Sequence, residues 1–127
     1  MAARSLTAVY DDHLKPSGLR STQLAVLWAV VALDDGTVGR IAKVITMDDS
    51  TLTRTLKLLE RDKLVSLHPG RDRREKRVRA TARGRKAFST AMPLWQQAQS
   101  SMVKRLDGRG LGDVNAMLLH LASAQPA

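Results

Sequence analysis

The sequence predicts a mostly α-helical fold with a small β-hairpin wing, a winged helix-turn-helix, on three observations. Two short helical patterns, about residues 37–45 and 49–62, are separated only by a tight connection at Thr46-Met47. A two-strand alternation follows, Val65 and Leu67 then Val78 and Ala80, with a basic segment between its arms. The excess positive charge of the whole chain falls in that same region. At 127 residues and 43% apolar, there is material for one core and one domain, residues 1–127.

Each element has its own signal. Leu6, Val9, Tyr10, His13 and Leu14 form the stripe of a short amphipathic helix, and Lys15-Pro16-Ser17-Gly18 ends it. From Ser21 to Leu33 apolar residues run all the way round, which predicts a rod buried on most sides at the centre of the fold. Asp34-Asp35-Gly36 is a turn. Thr37 caps a helix to about Ile45, with Val38, Ile41, Ala42 and Ile45 on one face. Asp48 or Asp49 caps the next helix, to about Asp62. Pro69-Gly70 starts the reversal of a hairpin with a long tip. Thr81 caps a long helix bearing Phe88, Ala91, Met92, Trp95, Ala98, Met102 and Leu106, which Pro93 should kink. Gly108, Gly110 and Gly112 end it. Asp113 caps a last helix with Val114, Met117, Leu118, Leu121 and Ala122 on one stripe.

Charge narrows the function. Lys and Arg total 21 against 12 acids, a net +9. Between Arg54 and Lys86 stand 13 basic and 4 acidic residues, so this stretch carries the entire excess. A neutral body with one basic stretch points to a surface for a polyanion, foremost a nucleic acid. The absence of cysteine excludes disulfides, thiolate metal sites and cysteine nucleophiles. His13, His68 and His120 lie far apart without ligand spacing, so no metal site is expected. No phosphate loop or catalytic constellation is present; neither catalysis nor a cofactor is expected. The longest uncharged apolar run, Leu24 to Leu33, is about half a bilayer span, and a soluble, cytoplasmic protein with no membrane partner is the expectation.

The second helix of the pair has the geometry of a reading element. At about 100° per residue, Leu52, Leu56 and Leu59 share one side, while Ser50, Arg54, Lys57 and Arg61 share the other. Such a helix buries leucines and offers hydroxyl and cationic groups to a major groove, where arginine bonds guanine bidentately. The hairpin tip, with Arg71, Arg73, Arg74, Lys76 and Arg77, has no large apolar residue to insert into a bilayer. It suits phosphates or a narrow minor groove. Asp72 is expected to hold a neighbouring arginine in place. Arg83, Arg85 and Lys86 sit where the helix dipole disfavours cations, which either phosphate proximity or ordinary tolerance on a surface would explain.

Gly39-Arg40-Ile41-Ala42, Met47-Asp48-Asp49-Ser50-Thr51-Leu52-Thr53-Arg54 and Leu58-Leu59-Glu60-Arg61-Asp62-Lys63-Leu64-Val65 together resemble the MarR family of regulators. So do the wing residues Asp72-Arg73-Arg74 and the run Ala80-Thr81-Ala82-Arg83-Gly84-Arg85. Two positions depart from it: Lys63, where the family usually has glycine, and Ala80, where leucine is usual. The resemblance implies a single MarR-type domain, with residues of about 19–86 binding DNA and those of about 3–14 and 87–124 forming dimerisation helices. It implies a homodimeric transcription factor, usually a repressor, on a pseudo-palindromic operator in double-stranded DNA. By position, Ser50, Thr51, Thr53, Arg54 and Lys57 match the recognition-helix contacts, and Arg71, Arg73, Arg74 and Lys76 belong to the wing. Thr37, Arg40 and Arg83 are candidate phosphate contacts. Dimerisation also has a physical argument, since short amphipathic helices at the two ends are hard to bury within one small chain. Family members often bind small aromatic or phenolic effectors, for which Tyr10, His13, Trp28 and Trp95 are the candidate lining; core packing is the competing role. Two alternatives stay open: a ligand- or protein-binding winged-helix module without specific DNA contact, and a non-specific nucleic-acid binder.

Overall fold

The structure, a computed structural model, describes residues 2–72 and 74–105. Within them the order is α1 (Ala2–Leu14), a single 3-10 turn (Lys15–Ser17), α2 (Ser21–Leu33), β1 (Gly36–Thr37), α3 (Val38–Val44), α4 (Asp49–Arg61), β2 (Val65–Pro69), β3 (Lys76–Ala80) and α5 (Ala82–Arg105). This is a winged helix. The helix expected beyond Asp113 lies outside the described residues.

The expected caps are in place. Thr37 Oγ1 accepts from the backbone N–H of Arg40 at 3.1 Å, Asp48 Oδ2 from that of Thr51 at 3.2 Å, and Thr81 Oγ1 from that of Gly84 at 3.0 Å. Each satisfies a donor that the first helical turn would leave unpaired. The hairpin pairs Val65 with Ala80 and Leu67 with Val78, the register that the alternation implies. Helix α5 continues through Pro93.

The core is built on α2. Val26, Leu27, Ala29 and Val30 are almost wholly buried, in one cluster with Ile41 and Ile45 from α3 and its end, Leu52, Leu56 and Leu59 from α4, Val78 from β3 and Ala91 from α5. Trp28 is the exception to a rod buried on most sides: it is 47% exposed. Of the α1 stripe, Tyr10 and Leu14 are fully buried within the chain, Tyr10 stacking on Trp95 of α5, while Val9 and His13 are half-buried. A side-chain bond ties α1 to the start of α2, where Asp11 Oδ1 accepts from the Ser21 N–H at 2.7 Å.

One strand goes beyond the sequence reading. The Asp34-Asp35 turn leads into β1, which pairs with β3 and makes a three-stranded antiparallel sheet in the order β1-β3-β2. Both aspartates are left-handed, at φ 48 and 71. That conformation is costly for residues with a Cβ and needs compensation. It comes from basic side chains far along the chain. Arg77 donates to the Asp35 carbonyl at 2.7 Å, His68 Nε2 lies 2.9 Å from Asp35 Oδ1, Arg79 approaches the same oxygen at 4.0 Å, and Arg85 reaches Asp34 at 3.3 Å.

The end of α4 explains the departure at Lys63. Leu64 N–H bonds to Leu59 O and Lys63 N–H to Glu60 O, a Schellman closure that puts Lys63 in the left-handed region at φ 61. Glycine adopts this conformation freely and lysine does not. Just beyond, Gly84 presses on the same junction: a Cβ there would lie 1.9 Å from the Leu64 carbonyl oxygen.

Two substitutions therefore move stability in opposite directions. Lys63→Gly raises it by about 0.5–1 kcal/mol, the relief of left-handed strain less the added freedom of the unfolded chain. Gly84→Ala lowers it by about 3 kcal/mol, the scale of overpacking against backbone that cannot retreat. Denaturant unfolding at equilibrium checks both.

Candidate nucleic-acid interface

The candidate interface starts from the two-sided character of α4. Leu52, Leu56 and Leu59 are buried, as is Thr55, whose hydroxyl bonds back to the Thr51 carbonyl at 2.8 Å. Ser50, Thr53, Arg54, Lys57 and Arg61 are exposed and Thr51 half-buried. Among the described residues Arg54 and Lys57 have neither an ion pair nor a side-chain hydrogen bond, so their donors are uncommitted; Arg61 contacts Asp62 at 3.3 Å.

At the N-terminal end of α4 the side chains are committed. Asp48 accepts from the Ser50 hydroxyl at 2.5 Å and from the Thr51 hydroxyl at 2.7 Å, besides the Thr51 N–H. These hydrogen bonds, the Ser50 hydroxyl foremost, hold its carboxyl down at about 2. It is an anion at any physiological pH, and acts only as an acceptor.

The wing tip is a turn closed by its own backbone: Gly70 N–H bonds to Glu75 O, and Glu75 N–H to Asp72 O. Asp72 Oδ1 accepts from the Arg74 N–H at 3.1 Å, so the acid holds that arginine by its main chain. Arg71, Arg74 and Lys76 are exposed and unpaired among the described residues; Arg73 lies outside them.

Geometry thus sorts the basic stretch into two groups. Arg77, Arg79 and Arg85 face the Asp34-Asp35 turn. Arg85, early in α5, has Asp34 as its partner at 3.3 Å. Arg40 and Arg83 are exposed and unpaired among the described residues, whereas the Thr37 hydroxyl oxygen is engaged as the α3 cap. The sequence could not show this division, because the acids responsible stand more than 40 residues upstream of Arg77 and Arg85.

The aromatic candidates are divided as well. Tyr10 and Trp95 stack with ring centres 6.1 Å apart, the His13 ring bonds the Val9 carbonyl, and Trp28 stands out in solvent. An open depression of about 520 Å³ along α5, lined by Pro93, Gln96, Gln97, Ser100, Ser101 and Lys104, includes none of the four. Among the described residues no three potential metal ligands come together, and no helix is long and apolar enough to cross a membrane.

A leucine-anchored helix with free cations, followed by a basic hairpin, defines a winged-helix regulator. Residues 19–84 match the winged helix DNA-binding domain family. The chain is similar to the transcriptional regulator MosR of M. tuberculosis, crystallised in complex with DNA, with 38% identity over 97% of this chain and 89% of that one and a TM-score of 0.80. Its fold is also that of apo MarR from E. coli (22% identity, 91% and 86% covered, TM-score 0.73). The same holds for BpsR of Bordetella bronchiseptica, whose DNA binding is regulated by 6-hydroxynicotinic acid (22%, 91% and 86%, TM-score 0.75). No curated protein sequence matches. The chain belongs to the MarR family of winged helix-turn-helix transcriptional regulators.

The only tyrosine of the chain offers a pH test of the α1–α5 packing. Burial pushes the Tyr10 phenol up to about 12, and its hydroxyl has no partner among the described residues. The unfolded chain releases that proton near pH 10, about two units before the folded state. The stability contributed by Tyr10 is therefore full below pH about 10 and is lost as pH rises toward about 12. Tyr10→Phe removes this alkaline loss and, by deleting an unsatisfied buried hydroxyl, raises neutral stability by about 1 kcal/mol. Tyrosinate absorbance and denaturant titrations across that range read both effects.

Proposed function

We propose that the chain is a sequence-specific regulator that binds double-stranded DNA as a homodimer on a pseudo-palindromic operator and represses transcription by occupying it. The observation that carries this reading is the uncommitted state of Arg54 and Lys57 on a helix whose opposite side is anchored by leucines. In the proposed complex α4 lies in the major groove, with Arg54 paired to a guanine and Lys57 reaching the same groove. Arg71, Arg73, Arg74 and Lys76 follow the adjacent backbone or minor groove, and Arg40 and Arg83 supply phosphate contacts. DNA is also what MosR is bound to in its crystal structure.

The homodimer rests on family membership and on apolar surface near the end of α5, where Val103 is exposed. Two copies about a two-fold axis place two recognition helices about one DNA turn apart. Relief by a small aromatic or phenolic effector is part of the proposal, with Trp28 and Trp95, the less buried of the candidate aromatics, as its candidate contacts.

The test is binding to duplexes selected from a random pool, measured across a salt series. Affinity falls steeply with salt as counterions are released. Arg54→Ala costs about 1–3 kcal/mol and relaxes the preference at one base pair, whereas Arg74→Ala weakens all duplexes alike and lowers the salt slope by about one. Equal affinity for unrelated duplexes, or a preference untouched by Arg54→Ala, overturns the reading.

A further inference from the structure

The hydrogen bonds around Asp48 have a direction, and that direction restricts what the start of α4 can read. A carboxylate oxygen only accepts, so the Ser50 and Thr51 hydroxyls must each spend their single proton on Asp48, at 2.5 and 2.7 Å. What they offer outward is lone pairs. Phosphate oxygens also only accept, and hydroxyls held in this way cannot donate to them. In the major groove just two groups donate, the N6 amino of adenine and the N4 amino of cytosine.

A second feature of the same turn agrees. A bare helix N-terminus attracts phosphate. Here Asp48 occupies the Thr51 N–H, and Asp49 adds another carboxylate to the first turn. Two anions at this end repel the DNA backbone and tolerate amino hydrogens. One turn later Arg54 reverses the polarity, offering donors only. Thr53 has no side-chain bond among the described residues and stays free to act either way.

Resting on the reading of α4 as the recognition helix, we propose that Asp48 is a specificity-determining positioning residue: it fixes Ser50 and Thr51 as acceptors, so that they select an adenine or cytosine amino group. Residues 50 and 54 are about 6 Å apart along the helix axis. At about 3.4 Å per base pair, the operator half-site carries that amino-bearing base about two steps from the guanine read by Arg54.

The experiment uses the full chain and duplexes selected by it from a random pool. Each adenine or cytosine of the selected half-site is then replaced in turn by its deamino analogue, purine or 2-pyrimidinone. For the wild type, one replacement about two steps from the guanine lowers affinity about tenfold, the scale of a good base-edge contact. In Ser50→Ala/Thr51→Val the same replacement costs less than about twofold, a comparison that cancels any effect of the analogue on the duplex itself. Asn caps a helix about as well as Asp, so Asp48→Asn stays folded, which its thermal midpoint verifies. Its amide can donate as well as accept, the hydroxyls regain both orientations, and the tenfold discrimination falls below about threefold. An equal analogue penalty in wild type and double variant overturns the proposal, as does full discrimination in Asp48→Asn or a keto base selected at that step. A selection that yields no preferred sequence overturns the recognition reading itself, and this proposal with it.

Discussion

The burial of the α4 leucines is the constraint from which the interface follows. Leu52, Leu56 and Leu59 are held in the cluster centred on α2, which fixes the rotation of α4 about its own axis. With that rotation set, Arg54 and Lys57 can only face away from the body. Each leucine buried contributes about 1.5–3 kcal/mol, whereas exposed ion pairs contribute about 0–1 kcal/mol. Orientation is therefore decided by apolar packing, and the cations are carried to the surface by it.

Around this frame, charge is sorted by partner rather than by position in the chain. The left-handed Asp34-Asp35 turn draws Arg77, Arg79, His68 and Arg85 toward it, tying both wing strands and the first turn of α5 to the end of α2. Arg54 and Lys57 of α4 and Arg71, Arg74 and Lys76 of the wing have no acid to satisfy them among the described residues. A basic sequence stretch thus separates into a structural half and an uncommitted half. The acids near the interface act locally: Asp72 holds the Arg74 backbone and Asp48 the first turn of α4.

Where the fold was legible, the signal was periodic or stereochemical. The all-round apolar run of α2, the leucine spacing of α4, the alternation of Val65, Leu67, Val78 and Ala80, and the caps Thr37, Asp48 and Thr81 all report local geometry, which a sequence carries directly. What escaped has a physical reason in each case. β1 is two residues long, too short for any alternation to show. Left-handed Lys63 and the tight seat of Gly84 depend on how two elements meet. The exposure of Trp28 and the burial of Tyr10 and Leu14 are decided by tertiary packing, and an apolar residue alone does not say what lies over it. The candidate site was readable as residue types on a helix face; which groups are engaged, and in which hydrogen-bonding direction, was not.

The contact between Gly84 and the Leu64 carbonyl has a mechanical consequence. With no side chain between them, and with Thr81 bonded to Lys63 O and Leu64 O, α5 is clamped at its root to the joint between α4 and the wing. From there its 24 residues extend as a rod about 36 Å long. On such a lever, a swing of about 5° at the clamp becomes a sideways travel of about 3 Å at the far end. Whatever grips that distant tip has leverage over the angle at which wing and α4 meet.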